Sequence, residues 1–229
     1  MKYRCVECGY GTNSLFVQYS PGNIRLMKCE NCKAVADEYI ECEIMIIVID
    51  LIVNKPKAYR HLLYNVLGSQ TLNFKGLLWK LSFGFLLLDA YRSLLICRSK
   101  EEWSSTSIAS FIWTCQKVLM DVVIGNLMFF ATFLLAMRIF LSTSIGSLRY
   151  KDIFLAILVS SYFKMCLFAM MVWEFPSSVV FIIDLYVLSS NIVALKVITE
   201  SAMSRCVLTC FSAHLMKFLV TQALELRTL

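Results

Sequence analysis

Two pairs of cysteines near the N-terminus have the spacing of a metal site. Cys5 and Cys8 form one C-x2-C hook, and Cys29 and Cys32 form a second hook twenty residues further on. Each hook can present two thiolates from one tight turn, and four thiolates complete the tetrahedral coordination of a zinc ion. Because sulfur would fill all four positions, no place is left for a reacting water. The spacing therefore predicts a structural zinc site, with two disulfides or accidental spacing as the alternatives.

A β-hairpin is predicted to bring the two hooks together. The segments Leu15 to Tyr19 and Ile24 to Lys28 read as short strands on either side of Pro21-Gly22-Asn23, which has turn chemistry. Asp37 to Glu41 is predicted to add a third strand. So small a module cannot bury enough apolar surface to fold alone, and a metal is expected to hold it together. We therefore predict a zinc ribbon over residues 1–43.

The next segment, residues 44–76, is predicted to be helical and to lie beside a membrane. Ile44 to Val53 is nearly all apolar but too short to cross a bilayer, which favours a buried or interfacial helix, and Ala58 to Leu67 has helical spacing. Five basic residues and no acid occur from Asn54 to Lys80, as in cytosolic segments next to anionic headgroups. The predicted lipid or headgroup contacts are Lys55, Lys57, Tyr59, Arg60 and His61. Packing of Tyr59 and His61 against the ribbon is the alternative.

The rest of the chain is apolar enough for a membrane domain. The 229 residues are 59% hydrophobic with a mean hydropathy of +0.68, against about 45–50% apolar residues in soluble domains. Residues 77–229 are predicted to form about five membrane helices, near Leu77 to Cys97, Leu119 to Leu141, Ile153 to Trp173, Val179 to Ile198 and Arg205 to Leu226. The predicted fold is mainly α: a polytopic membrane helix bundle with a small N-terminal β zinc ribbon. No apolar stretch with a cleavage site follows Met1, so the first spanning helix is expected to direct insertion and to leave the N-terminal domain in the cytosol.

Several polar residues fall inside the predicted spans, where an isolated charge is expensive. Asp89 and Arg92 are three residues apart on one helix and can pair. Lys164 and Asp184 lie on successive helices at depths that could meet, and a second polar cluster is expected around His214. A polar-lined path or substrate site is one interpretation, and helix pairing that holds the bundle is the other. The predicted intramembrane polar residues are Asp89, Arg92, Lys164, Asp184, Asn191 and His214, with Lys217 expected to join the second cluster.

No catalytic residues are predicted. The sequence shows no Ser or Cys at the spacing of a triad with His and a carboxylate, and no phosphate-binding glycine loop. A transferase that uses His214 or Asp184, and nucleic-acid binding by the ribbon, are the weaker alternatives. The remaining cysteines are expected to be packing residues: Cys42, Cys97, Cys115, Cys166, Cys206 and Cys210.

The hooks and the segments after them resemble the homology domain of the Arv family. Beyond the cysteines, the resemblance is carried by Ala36-Asp37-Glu38-Tyr39-Ile40-Glu41, by Ile49-Asp50-Leu51-Ile52 and by the run from Lys55 to Asn65. Further along, Tyr91-Arg92-Ser93-Leu94-Leu95 and Val172-Trp173-Glu174-Phe175-Pro176 are similar to plant members in particular.

This resemblance implies a multi-pass protein of the endoplasmic reticulum membrane, with the Golgi as a second compartment and a zinc-binding domain in the cytosol. It implies a role in sterol homeostasis, through the intracellular trafficking and distribution of sterols, and in the regulation of sphingolipid metabolism. The implied partners are membrane lipids, sterols and lipid-biosynthetic membrane proteins, and no nucleic acid. An accessory or scaffold subunit of a glycolipid (GPI-type) biosynthetic pathway is the alternative, and no enzymatic reaction is implied.

Overall fold

The computed structural model describes residues 3–68, 74–100, 108–141, 147–168, 176 and 178–226. The chain divides into two compact units, Met1–Phe74 and Lys75–Leu229. We call the first unit the head and the second the membrane unit. The division falls two residues before the start of the predicted membrane domain, and the finer division at residue 43 stays a prediction.

The strands of the head form two small antiparallel sheets. Strand β1 (Tyr3–Arg4) pairs with β2 (Gly11–Thr12), and β3 (Phe16–Ser20) pairs with β4 (Asn23–Leu26). The turn between β3 and β4 contains Gly22 at φ +83°, a conformation that glycine adopts without steric cost. The predicted hairpin is confirmed, with strand ends shifted by one or two residues.

The predicted third strand at Asp37 to Glu41 is wrong. Glu38–Ile40 instead forms a single 3-10 turn, and the Asp37 carboxylate accepts a hydrogen bond from the Tyr39 backbone N–H at 3.1 Å. An aspartate that satisfies a backbone donor in this way favours a helical turn over a strand ladder.

Two helices complete the head. Helix α1 spans Ile44–Ile52, and α2 spans Pro56–Arg60 and continues as a π-helical turn over His61–Val66. Between the helices Asn54 has φ +59°, a left-handed conformation that asparagine tolerates better than most residues and that ends a helix. Proline at the first position of α2 has no backbone N–H to leave unpaired. Both predicted helical segments are therefore confirmed, apart from their ends.

The membrane unit contains long helices at the five predicted segments. They are α3 (Phe74–Lys100), α4 (Ile108–Phe140), α5 (Ser147–Ser160), α6 (Ser178–Thr199) and α7 (Met203–Leu226), and a 3-10 segment, Ser161–Phe168, continues α5. Residues 169–175, which include the predicted end of the third span at Trp173, lie outside the described residues.

Within the described part of the chain, three helices are long and apolar enough to cross a membrane: Cys115–Phe140, Ser178–Thr199 and Met203–Leu224. The mainly helical membrane fold is thereby confirmed, while five crossings stay a prediction. Helix α4 packs along α7, and α6 packs against α5, the 3-10 segment and α7. Large apolar side chains such as Leu127, Ile139 and Phe181 remain exposed on these helices, as expected of surfaces that face lipid.

Candidate metal centre and buried polar clusters

The four cysteines of the two hooks meet at one place in the head. Their sulfur atoms all lie within 4.8 Å of one another. The Sγ atoms of Cys5 and Cys32 are 3.8 Å apart, and those of Cys8 and Cys29 are 3.6 Å apart. A disulfide bond is about 2.05 Å long, so these are free thiols and the two-disulfide alternative does not apply. The predicted cysteine cluster is close enough to bind a metal ion.

The two hooks are the same turn made twice. The Gly9 N–H donates to the Cys5 carbonyl at 2.9 Å, and the Lys33 N–H donates to the Cys29 carbonyl at 3.0 Å. Both donors have left-handed backbones, at φ +77° for Gly9 and φ +62° for Lys33. Because only glycine adopts this conformation without cost, Lys33 shows that the second hook is held in shape by its surroundings.

The thiols of the first hook differ in their ease of ionisation. Burial raises the pKa of the Cys5 thiol to about 12. Burial also raises the pKa of the Cys8 thiol, but hydrogen bonds from the Tyr10 backbone and the Asn31 side chain outweigh it and lower the pKa to about 7. Metals bind the thiolate form, so Cys8 is the first-hook residue that is better prepared for a metal.

The fully buried carboxylate of Asp37 joins the hooks to the π-helical turn. Its Oδ2 atom accepts from the Asn65 side-chain amide at 2.7 Å and lies 2.7 Å from Nδ1 of His61. The Asn65 side chain also binds the backbone of Arg4 in strand β1. Its Oδ1 accepts from the Arg4 N–H and its Nδ2 donates to the Arg4 carbonyl, both at 2.9 Å. Cys5 follows Arg4 directly, so this network fixes the start of the first hook. We call Asp37, His61, Asn65 and Arg4 the Asp37 network.

Helix α2 also holds the first hook. The Arg60 guanidinium donates to the carbonyl oxygens of Val6 and Glu7, at 2.9 and 2.7 Å. Lys57 forms a salt bridge with the Glu7 side chain, and its Nζ lies 3.6 Å from a Glu38 carboxylate oxygen. The run from Lys55 to Asn65, which carries part of the Arv resemblance, therefore contacts the residues between Cys5 and Cys8.

The five residues predicted to contact lipid headgroups have different surroundings. Tyr59 is buried, and its hydroxyl donates to Asn54 Oδ1 at 3.0 Å. His61 is buried in the Asp37 network, and Arg60 faces the hook carbonyls. Lys55 and Lys57 keep side-chain exposures of 53% and 39%. Headgroup contact stays a prediction, and the two lysines are the residues placed to make it.

Replacement of Asp37 by alanine is expected to destabilise the head by about 3 kcal/mol. Asn65 and His61 would lose a buried acceptor, and buried polar groups left without partners cost roughly 1–3 kcal/mol each. Glu38→Ala is the matched control, because it removes only an exposed ion pair worth under about 1 kcal/mol. Release of bound metal from the full chain in detergent would be followed against denaturant. Equal release midpoints for the two variants would contradict the role given to Asp37.

In the membrane unit, Asp89 is the centre of a buried ionic cluster. Lys164 Nζ donates to Asp89 Oδ1 at 2.6 Å, and Lys217 Nζ donates to Oδ2 at 2.5 Å. Lys217 also donates to Asn126 Oδ1 at 2.8 Å. Lys164 Nζ lies 3.6 Å from the centre of the Phe85 ring, a cation–π contact. We call Asp89, Asn126, Lys164 and Lys217 the Asp89 cluster, and it joins α3, α4, the 3-10 segment and α7.

A second ion pair joins α3 to α6. Arg92 Nε donates to both carboxylate oxygens of Asp184 at 3.0 Å, and a terminal guanidinium nitrogen adds a further contact. The expected pairings of Asp89 with Arg92 and of Lys164 with Asp184 are therefore wrong, because Asp89 and Asp184 exchange partners. The sequence shows where a charged residue lies along a helix. It does not show which neighbouring helix the side chain faces.

A third group of polar side chains lies around Asn191. Its Nδ2 is 3.2 Å from Nε2 of His214, and its Oδ1 accepts from the Ser160 hydroxyl at 2.6 Å. The expected meeting of Asn191 and His214 is confirmed, whereas Lys217 belongs to the Asp89 cluster. Sequence reasoning missed Ser160 and Asn126, and their only signal is a small or amide side chain within an apolar helix.

Exchange of the charges of Arg92 and Asp184 should show that the pair joins α3 to α6. The single variants Arg92→Asp and Asp184→Arg each place two like charges side by side, so each is expected to lower the thermal stability, because the part-buried pair loses its attraction and gains a repulsion. The double variant restores opposite charges and is expected to recover most of the thermal stability in detergent. A double variant that is as unstable as the sum of the single losses would contradict the pairing.

The head has a cysteine cluster close enough to bind a metal ion, and the rest of the chain is a unit of apolar helices, so the fold is that of a membrane protein with a candidate metal centre. Residues 4–195 match the model of the Arv1-like family, so the chain belongs to that family and the resemblance is confirmed. It is 56% identical to Protein ARV 2 of Arabidopsis thaliana, over 96% of this chain and 94% of that protein. Protein ARV 1 of the same plant is 54% identical, over 98% of this chain and 89% of its own length. Human Protein ARV1 is 29% identical, over 86% and 72% respectively. No solved structure matches the chain.

Proposed function

We propose that this protein acts in the membrane of the endoplasmic reticulum, with its head in the cytosol, to distribute sterols among intracellular membranes. Through that distribution it regulates sphingolipid metabolism. Membership of the Arv1-like family supports the proposal, as do the three apolar helices. Its relatives are named ARV proteins and not enzymes, which accords with a non-catalytic role.

The observation that carries the proposal is the Asp89 cluster. Two lysine side chains and one carboxylate are held together inside a unit of apolar helices. Nδ2 of Asn126 is also buried, and among the described residues it has no hydrogen-bond partner. Charged groups at such depth are costly and usually serve a function. Donors in this arrangement suit the hydroxyl oxygen of a sterol, and the exposed apolar side chains of the helices suit its rings.

Sterol binding is tested with a photoactivatable sterol in native membranes, followed by mapping of the labelled peptides. We expect label in α3 and α7 and a several-fold loss of label in Lys217→Gln, because this change removes a donor from the Asp89 cluster. Lys196→Gln is the control, since Lys196 is exposed in the last turn of α6. The thermal stability of both variants is measured, and their labelling is compared where the stabilities are equal.

Equal labelling of the two variants, or label only outside the membrane unit, would contradict sterol binding at the Asp89 cluster. A chain that takes no label but purifies with a membrane transferase would support the accessory-subunit alternative instead.

The metal of the head is proposed to be a structural zinc ion. Tetrahedral zinc with Zn–S bonds of about 2.3 Å sets its sulfurs about 3.8 Å apart. The separations of 3.8 Å between Cys5 and Cys32 and of 3.6 Å between Cys8 and Cys29 fit this value. Zinc bound to Cys5, Cys8, Cys29 and Cys32 would contribute folding energy to a head with a small core and leave no position for a substrate.

Elemental analysis of the purified chain is expected to find a single zinc ion per molecule. Cys32→Ser should lose the zinc and expose the head to protease, because the metal supplies much of the stability of so small a unit. Cys42→Ser should keep it, since Cys42 lies outside the cluster and donates to the Glu38 carbonyl. Wild-type protein purified without zinc, or with another metal in its place, would contradict the assignment.

A further inference from the structure

Helix α1 presents its apolar residues to the outside of the head. Ile44, Met45 and Val53 have exposed fractions of 77%, 65% and 62%. The exposed aliphatic residues of this segment, which we call the α1 face, are Ile44, Met45, Ile46, Val48, Ile49, Ile52 and Val53. A contiguous apolar patch of this kind on a small unit marks a surface that is covered in use.

The polar residue of α1 points the other way. Asp50 accepts a hydrogen bond from the Tyr39 hydroxyl at 2.8 Å and forms a salt bridge with Lys55 at 2.8 Å. The hydrogen bond from Lys55, followed by the one from Tyr39, lowers the pKa of Asp50, so this carboxylate is satisfied within the head. Leu51 beside it is buried. The helix is therefore arranged with its charge inward and its aliphatic side chains outward, the reverse of a helix that faces water.

We propose that the α1 face is embedded in the headgroup and acyl boundary of the bilayer that holds the membrane unit. The α1 face consists of Ile, Val and Met alone, without the Trp, Tyr and Arg that concentrate binding energy at protein interfaces. Lipid chains require only apolar area, which aliphatic side chains supply. The bilayer is thus the occupant that matches the chemistry of this surface.

The connection between the head and α3 is short. Residues 67–73 are all that lies between the end of the π-helical turn and the start of α3, and seven residues span at most about 25 Å. Such a short connection raises the effective concentration of the membrane surface at the head.

Charge favours the same partner at one end of the helix. Lys55 and Lys57 lie within five residues of the end of α1 and pair with Asp50 and Glu7, and their partly exposed ammonium groups also suit anionic headgroups. Glu41 and Glu43 precede α1 and are exposed, so electrostatic attraction acts at the C-terminal end. This inference does not rest on the proposed sterol role, because an interfacial helix would anchor the head whatever lipid the membrane unit handles.

The test is photocrosslinking of the full chain reconstituted in vesicles of phosphatidylcholine and phosphatidylserine. A benzoylphenylalanine replaces Ile49 on the α1 face in one variant and the exposed Gln18 of strand β3 in the control. After illumination, mass spectrometry measures the yield of lipid adducts at each position. We expect a several-fold higher yield at position 49 than at position 18.

Equal lipid yields at the two positions would overturn the inference. So would crosslinks from position 49 to a second copy of the chain, or to another part of the same chain, in place of lipid. Bound metal is measured in both variants to show that the head is folded, and a Met45→benzoylphenylalanine variant repeats the test if position 49 fails this check. Loss of metal by both variants would show that the α1 face packs inside the head, which also overturns the inference.

Discussion

The head depends on the burial of one carboxylate. A carboxylate withdrawn from water is costly unless donors surround its oxygens. Asp37 finds its partners in the Tyr39 backbone and in the side chains of Asn65 and His61. One of these lies in the neighbouring turn, whereas the other two lie beyond α1 and α2. The ribbon can therefore satisfy Asp37 only when the later segment has folded against it, which explains why the contacts of the chain group residues 1–74 into one unit.

The need of a buried charge for a partner also determines how the helices of the membrane unit pack. Ions in hydrocarbon need partners, and the partners here come from segments far apart in sequence. Asp89 of α3 is bound by lysines from the 3-10 segment and from α7, and Arg92 reaches Asp184 of α6. Apolar helices alone can slide or rotate against each other at little cost. Pairs of this kind select one arrangement, because a wrong neighbour would leave a charge uncompensated.

The sequence predicted what depends on local chemistry and failed where geometry decides. Four cysteines at paired spacing have few other uses, so the cluster was predictable residue by residue. The strand at Asp37 was wrong, because β-propensity does not reveal that an aspartate will cap a turn. The partners of Asp89 and Arg92 depend on helix rotation, which mean hydropathy does not contain. The sequence around Tyr59 and His61 does not show whether these side chains face lipid or the head. Their direction follows from two contacts in the structure: Arg60, which lies between them, binds the first hook, and His61 lies against Asp37.

The cysteine cluster and the α1 face are joined by a continuous set of contacts. Arg60 holds the carbonyls of the first hook. The preceding residue, Tyr59, donates its hydroxyl proton to Asn54, and the same hydroxyl lies 3.4 Å from the Leu51 carbonyl near the end of α1. Each link restricts the next, because a buried donor that turns away from its acceptors would lose its hydrogen bonds. The direction in which α1 presents its aliphatic side chains is thus set by the folded hooks. A metal bound at the cysteines would therefore stabilise the orientation of α1, through the shape that it imposes on the residues between Cys5 and Cys8.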